Sequence, residues 1–162
     1  GGDIEDRFVF ERLGFSYRIT EMEAALGVAA MQDFEREAAA RLGIASNLHA
    51  LLRAELGHKV HSPEPCGVPM MFPMVIRPTE NVDKWDVMRK LEAVGIETRE
   101  MLPLLSQPFY KAMGFNLGDF RCSQWIKERG FYVGIYPGMT INDCTEVIGE
   151  IKKALVNEQV LA

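Results

Sequence analysis

The sequence predicts an α/β fold: a small three-stranded sheet packed with helices and preceded by a long N-terminal helix. Three short runs, Phe72–Arg77, Ile96–Met101 and Phe131–Ile135, have the length and apolar or alternating character of strands. The segments between and after them carry apolar residues at helical spacing. Helices interleaved with a few strands bury their apolar faces as one sheet with helices laid on it. With 162 residues, 48% hydrophobic and 25% charged, the chain is long enough for one such core, and it contains no internal repeat or low-complexity segment.

The long helix has the best-defined start. Thr20 followed three residues later by Glu23 is a capping-box pattern, in which hydroxyl and carboxylate each satisfy a backbone N–H that the first turn leaves unpaired. Met22, Leu26, Ala29, Ala30 and Phe34 then follow helical spacing, and Ala24, Ala25 and Val28 keep the helix slim on more than one face. Gly43 is expected to kink it; Leu48, Leu51, Leu52 and Leu56 resume the stripe, and Gly57 is a C-cap. Just before the start stand Ser16, Tyr17 and Arg18, a hydroxyl, a phenol and a guanidinium suited to an anion such as a phosphate. The same residues also read as a capped helix with a solvated arginine. Residues 1–19 are aperiodic, and Phe8, Phe10 and Phe15 within them are expected to pack on a surface supplied from elsewhere.

Residues 57–71 are rich in Pro, Gly and His and read as loop; His58, His61 and Cys66 lack a fourth ligand and a recognised metal spacing. After the first strand Asn81 is expected to cap a helix through Trp85, Met88, Leu91 and Val94 that Gly95 ends. Following the second strand, residues 102–110 form a proline-punctuated apolar loop that reads equally as cover for a cleft or cover for the core. Short helices around Phe109–Met113 and Arg121–Glu128 precede the third strand. Thr140 then caps a last amphipathic helix through Ile141, Val147, Ile148, Ile151 and Leu155.

The formal charge is -5 and the pI about 5.3, with Lys and Arg scattered, so neither nucleic acid nor an anionic membrane is expected as partner. Cys66, Cys122 and Cys144 are widely spaced and read as cytosolic thiols. No apolar run reaches the roughly 18 residues that span a bilayer, and residues 1–6 lack signal-peptide character; a cytoplasmic location is expected.

Self-sufficient catalysis is not visible: there is no nucleophile elbow, Walker loop, dinucleotide fingerprint or His-Glu-x-x-His helix. Of the seven lysines, Lys84, Lys90, Lys127, Lys152 and Lys153 read as helix-surface residues, and Lys59 and Lys111 lie in or beside loops. None stands in an evident pocket that would lower its pKa for Schiff-base chemistry.

Three segments carry a resemblance: Leu13-Gly14-Phe15-Ser16-Tyr17-Arg18-Ile19-Thr20-Glu21-Met22-Glu23-Ala24-Ala25-Leu26-Gly27; Gly95-Ile96-Glu97-Thr98-Arg99 with Gln107-Pro108-Phe109-Tyr110; and Tyr136-Pro137-Gly138-Met139-Thr140. Their order resembles the C-terminal part of the DegT/DnrJ-type nucleotide-sugar aminotransferases, fold-type I enzymes dependent on pyridoxal 5'-phosphate. The resemblance covers essentially this whole chain but about the last two-fifths of a family member. It implies that residues 1–19 join a missing N-terminal domain and that 20–162 form a single small domain. The missing domain would carry the cofactor's lysine, the aspartate facing the pyridine nitrogen and most phosphate ligands, so this chain alone should bind no cofactor and be inactive. It further implies a homodimer in which Ser16, Tyr17 and Arg18 reach the neighbour's cofactor phosphate and sugar nucleotide. Many members have Asn where Ser16 stands and His where Ser106 stands. Gly130–Gly138 also resembles the ending of the sugar 3-dehydratases, which replace the cofactor's lysine by His. A dehydratase domain is therefore the alternative, and a non-catalytic fragment dimerising through the Ala-rich face of helix 20–42 is another.

Overall fold

The computed structural model describes residues 17–156. The chain divides into two compact units with the boundary between Phe34 and Glu35. That boundary lies inside the first helix, α1 (Glu21–Leu56), which is continuous. Gly43 does not interrupt it. A single glycine costs a helix interior about 1 kcal/mol against alanine, and the flanking alanines, leucines and arginines outweigh that.

The remaining elements are β1 (Val60–His61), β2 (Met71–Ile76), α2 (Lys84–Ala93), β3 (Thr98–Glu100), α3 (Pro108–Ala112), α4 (Arg121–Arg129), β4 (Gly130–Gly134) and α5 (Ile141–Ala154). Short 3-10 turns stand at Leu104–Ser106 and Leu117–Asp119. Among the described residues the sheet has four strands, not three, in the order β1-β2-β4-β3, and each neighbouring pair is antiparallel. The additional strand, β1, pairs Val60 with Ile76 and His61 with Val75 inside the stretch expected to be loop. β3 is shorter than the run Ile96–Met101: Ile96 packs against the core ahead of the strand, and Met101 donates its N–H to the Gly130 carbonyl just past it.

Register explains which side of the sheet is buried. Phe72 and Thr98 flank Val133, and Met74 lies opposite Phe131; Phe72, Met74, Thr98, Phe131 and Val133 are all buried. These positions alternate along their strands and so share a face. Leu48, Leu52 and Leu56 of α1, Val87 and Leu91 of α2, and Cys144, Ile148 and Ile151 of α5 join the same core. On the opposite face the row Pro73, Tyr132, Arg99 is only partly covered. There α4 contributes Trp125, whose indole N–H donates to the Ile76 carbonyl at 2.8 Å and whose ring stacks on His61 at 6.0 Å.

Helix ends follow their sequence signals unevenly. The Thr140 hydroxyl accepts from the Asp143 N–H, and the Asp143 carboxylate accepts from the Thr140 N–H at 2.6 Å, closing a capping box on α5. α2 begins later than expected, with Asp83 rather than Asn81 at its N-cap and no side-chain cap bond. At the end of α1, a Cβ on Gly57 would lie 2.7 Å from the Arg53 carbonyl oxygen, so only glycine closes that turn without displacement.

Lys84 corrects a surface assignment. It is buried, with Nζ donating to the Lys127 carbonyl, pairing with Glu100 Oε2 at 3.4 Å and lying 4.8 Å from the Trp85 ring centroid. Lys84, Val87, Met88 and Leu91, the buried residues of α2, stand at i, i+3, i+4 and i+7. The lysine therefore occupies a core position of the stripe and needs its two acceptors because a buried cation is costly unpaired.

Candidate functional site

The first candidate is the start of α1. The Thr20 N–H and hydroxyl both donate to Glu23 Oε2 at 2.8 Å, and the Glu23 N–H donates back to Thr20 Oγ1 at 3.3 Å. These bonds, the backbone one foremost, hold the Glu23 carboxyl below its ordinary value, so it stays ionised. Glu21 adds a second negative charge to the same turn. With the Thr20 and Glu23 N–H groups engaged and two carboxylates in the first turn, negative charge already occupies this terminus, which disfavours an added anion there. Any anion here has to be drawn by side chains. Tyr17 is 94% exposed and Arg18 is exposed, so phenol and guanidinium are both presented outward immediately before the cap. Ser16, Phe8, Phe10 and Phe15 lie outside the described residues.

Parts of the other two resembling segments come together. Gly95, Ile96 and Glu97, with Gly134, Ile135, Tyr136, Met139, Asp143 and Glu146, line a groove of about 430 Å³ at the end of β4, while residues 107–110 are not among those lining it. Gly95 has φ +85°, a left-handed conformation that glycine takes without strain. Arg41 of α1 donates to the Ile135 carbonyl at 2.9 Å, fixing the groove's wall. Three carboxylates, Glu97, Asp143 and Glu146, line it; the Asp143 carboxyl is held low by the Thr140 N–H and hydroxyl. Arg99 projects from the sheet to bond Glu97 at 2.7 Å.

The segment after β3 leaves several of its apolar side chains uncovered. Leu102, Leu104 and Phe109 are all exposed, while the Ser106 hydroxyl is turned inward to the Pro103 carbonyl at 2.7 Å. Met71, Met101, Leu102, Pro103, Ile126 and Tyr132 border an open apolar groove of about 500 Å³ beneath it. Tyr110 meets Phe109 and Phe115 edge-on.

Among the described residues no three His, Cys, Asp or Glu side chains stand together as a metal site. Cys66 and Cys122 are exposed thiols; burial pushes the Cys144 thiol up. No helix among the described residues is long and apolar enough to cross a membrane. Sequence reasoning missed the burial of Lys84, although its i, i+3, i+4, i+7 spacing with Val87, Met88 and Leu91 was legible.

Comparison with known proteins gives this arrangement a context. The chain is 24% identical over 157 residues to the lipopolysaccharide biosynthesis protein RfbH of Salmonella typhimurium, covering 92% of this chain and 36% of that protein. It is 27% identical over 161 residues to GDP-perosamine synthase of Caulobacter vibrioides, covering 96% and 43%. The fold matches Helicobacter pylori PseC, an aminotransferase involved in the biosynthesis of pseudoaminic acid, with TM-score 0.76, 12% identity, and 90% and 40% of the two chains covered. It matches E. coli GDP-4-keto-6-deoxy-D-mannose-3-dehydratase with TM-score 0.73, 18% identity, and 91% and 39% covered. The chain thus spans roughly two-fifths of the length of the proteins it matches. The model of the DegT/DnrJ/EryC1/StrS aminotransferase family matches residues 1–152, and the chain belongs to that family.

Proposed function

We propose that the chain is the C-terminal small domain of a pyridoxal-phosphate-dependent aminotransferase that moves an amino group from glutamate to a keto-sugar nucleotide, in the making of cell-surface polysaccharide or a secondary metabolite. The observation that carries the reading is the family match over residues 1–152 together with a length of about two-fifths of the relatives. In this reading residues 1–19 lead from an N-terminal cofactor-binding domain and 20–162 are the small domain. The parent is a cytoplasmic homodimer, and this chain alone is inactive.

Bound pyridoxal phosphate supplies an electron sink for charge developing at the carbon that gains or loses nitrogen. The work of this chain is recognition. Arg18 balances phosphate charge and holds its oxygens through the fork of the guanidinium; Tyr17 and Ser16 add hydroxyl donors across the dimer. The exposure of Tyr17 and Arg18 beside a first turn whose Thr20 and Glu23 N–H groups are engaged, and which carries the carboxylates of Glu21 and Glu23, supports side chains as the ligands.

In the parent, Arg18→Ala should weaken pyridoxal-phosphate binding at least about tenfold, the scale of one lost charge-assisted hydrogen bond, measured by titrating the cofactor's visible absorbance. Unchanged cofactor and sugar-nucleotide affinity would reject the assignment. A second reading, sugar 3-dehydration, is favoured by the resemblance of Gly130–Gly138 to the dehydratase ending. Assaying the parent for amino transfer against water loss separates the two.

A further inference from the structure

Residues 22–31, near the start of α1, are apolar on every side of the helix. Among residues 22–31 only Glu23 is charged, and it is engaged in the cap. At 3.6 residues per turn Met22 and Leu26 point within about 40° of each other, whereas Met31 and Val28 lie on the far side, and alanines occupy the arcs between. Met22, Leu26, Val28 and Met31 are between 66% and 81% exposed. Of residues 21–34 only Ala24 is even half-buried. A helix that meets one surface shows one apolar stripe and a polar back; a helix apolar on every side is built to be enclosed.

Resting on the reading of this chain as a small domain, we propose that residues 21–34 are enclosed around most of their circumference by the N-terminal part of the parent polypeptide. A second copy of the same helix would cover one seam and leave the opposite side bare. The relatives supply enough chain for an enclosure, since this chain spans 36–43% of them. The short side chains of Ala25, Gly27, Ala29 and Ala30 suit the close approach of neighbours from more than one direction, and apart from the adjacent residues and the helix's own backbone nothing lies within 4 Å of a Cβ built on Gly27.

Leu26 and Val28 test this, because they stand about 200° apart on the helix. Leu26→Asp and Val28→Asp, made separately in the full-length parent, should each lower its thermal unfolding midpoint by about 5 °C or more. The same substitutions should leave the midpoint of this chain by itself unchanged. A parent that tolerates either substitution overturns the proposal, since one side of the helix is then free. Amide exchange keeps the test open if a variant fails to fold: residues 21–34 should exchange on the order of 100-fold more slowly in the unsubstituted parent than in this chain. Equal rates also overturn it, as does a stable dimer of this chain that already slows exchange as much as the parent does. None of these readouts uses catalysis. A parent that protects the helix but transfers no amino group sinks the proposed function alone, whereas an active parent indifferent to Val28→Asp sinks only the enclosure.

Discussion

Ile44, Ala45, Leu48, Leu52 and Leu56, the buried residues of α1, fall within an arc of about 120°, and the residues between them are exposed or, like His49 and Leu51, half-buried. In residues 21–34 of the same helix apolar side chains occupy every direction and are nearly all exposed. Both regions belong to one continuous helix, so helix formation does not account for the difference. Arc width does: it reports how many sides of a helix have something to lie against. A narrow stripe identifies an element finished within its own domain, and a full ring identifies one that its own domain leaves unfinished.

Substitutions sharpen the contrast. Leu48→Ala, at a fully buried site, should destabilise this chain by about 3 kcal/mol in urea unfolding, whereas Leu26→Ala should shift it by no more than about 0.5 kcal/mol. Equal effects would break the comparison. The two capping boxes give a smaller version of the same test. Thr140→Ala should lower the unfolding midpoint by about 2–4 °C, because α5 belongs to the core. Thr20→Ala should leave that midpoint in place and only speed amide exchange at the start of α1.

The smallest effect is acid dependence. The Asp143 carboxyl is held below its ordinary value of 3.8 by the Thr140 N–H and hydroxyl. A depressed folded pKa contributes stability above the unfolded value and loses it as pH falls through the folded one. The gap in stability between the unsubstituted chain and Thr140→Ala should therefore be full above about pH 4 and close as acid is added below it. A gap that widened in acid would contradict the cap geometry.

Local features of this fold were legible in the sequence, and features that depend on distant partners were not. Thr20 with Glu23 and Thr140 with Asp143 act within one turn, so both helix starts could be read from spacing. β2 and β4 carried enough consecutive apolar residues to declare themselves. β1 did not, because Val60 and His61 become a strand only through Ile76 and Val75, and their own neighbourhood has loop composition. Lys84 was read by residue type as surface, and only the Lys127 carbonyl and Glu100 make its burial tolerable. Of the candidate site, Tyr17 and Arg18 were visible as chemistry beside a cap. The groove joining Gly95–Glu97 to Tyr136–Asp143 was not, since it arises where β4 brings two remote segments together.

The bond from the Met101 N–H to the Gly130 carbonyl, 3.1 Å long, means that the chain leaves the sheet after β3 and re-enters it at the same rung. The re-entry is tight: α4 runs into β4 with no intervening residue, and a Cβ on Gly130 would meet the Ile126 carbonyl oxygen at 2.4 Å. Trp125 and the sheet pin the return, so residues 102–120 hang from a closed clasp. Doubling the length of such a loop costs only about 0.6 kcal/mol in closure entropy. Added length in this segment therefore bears little on the pairing of β3 with β4, whose partners are set on either side of the clasp.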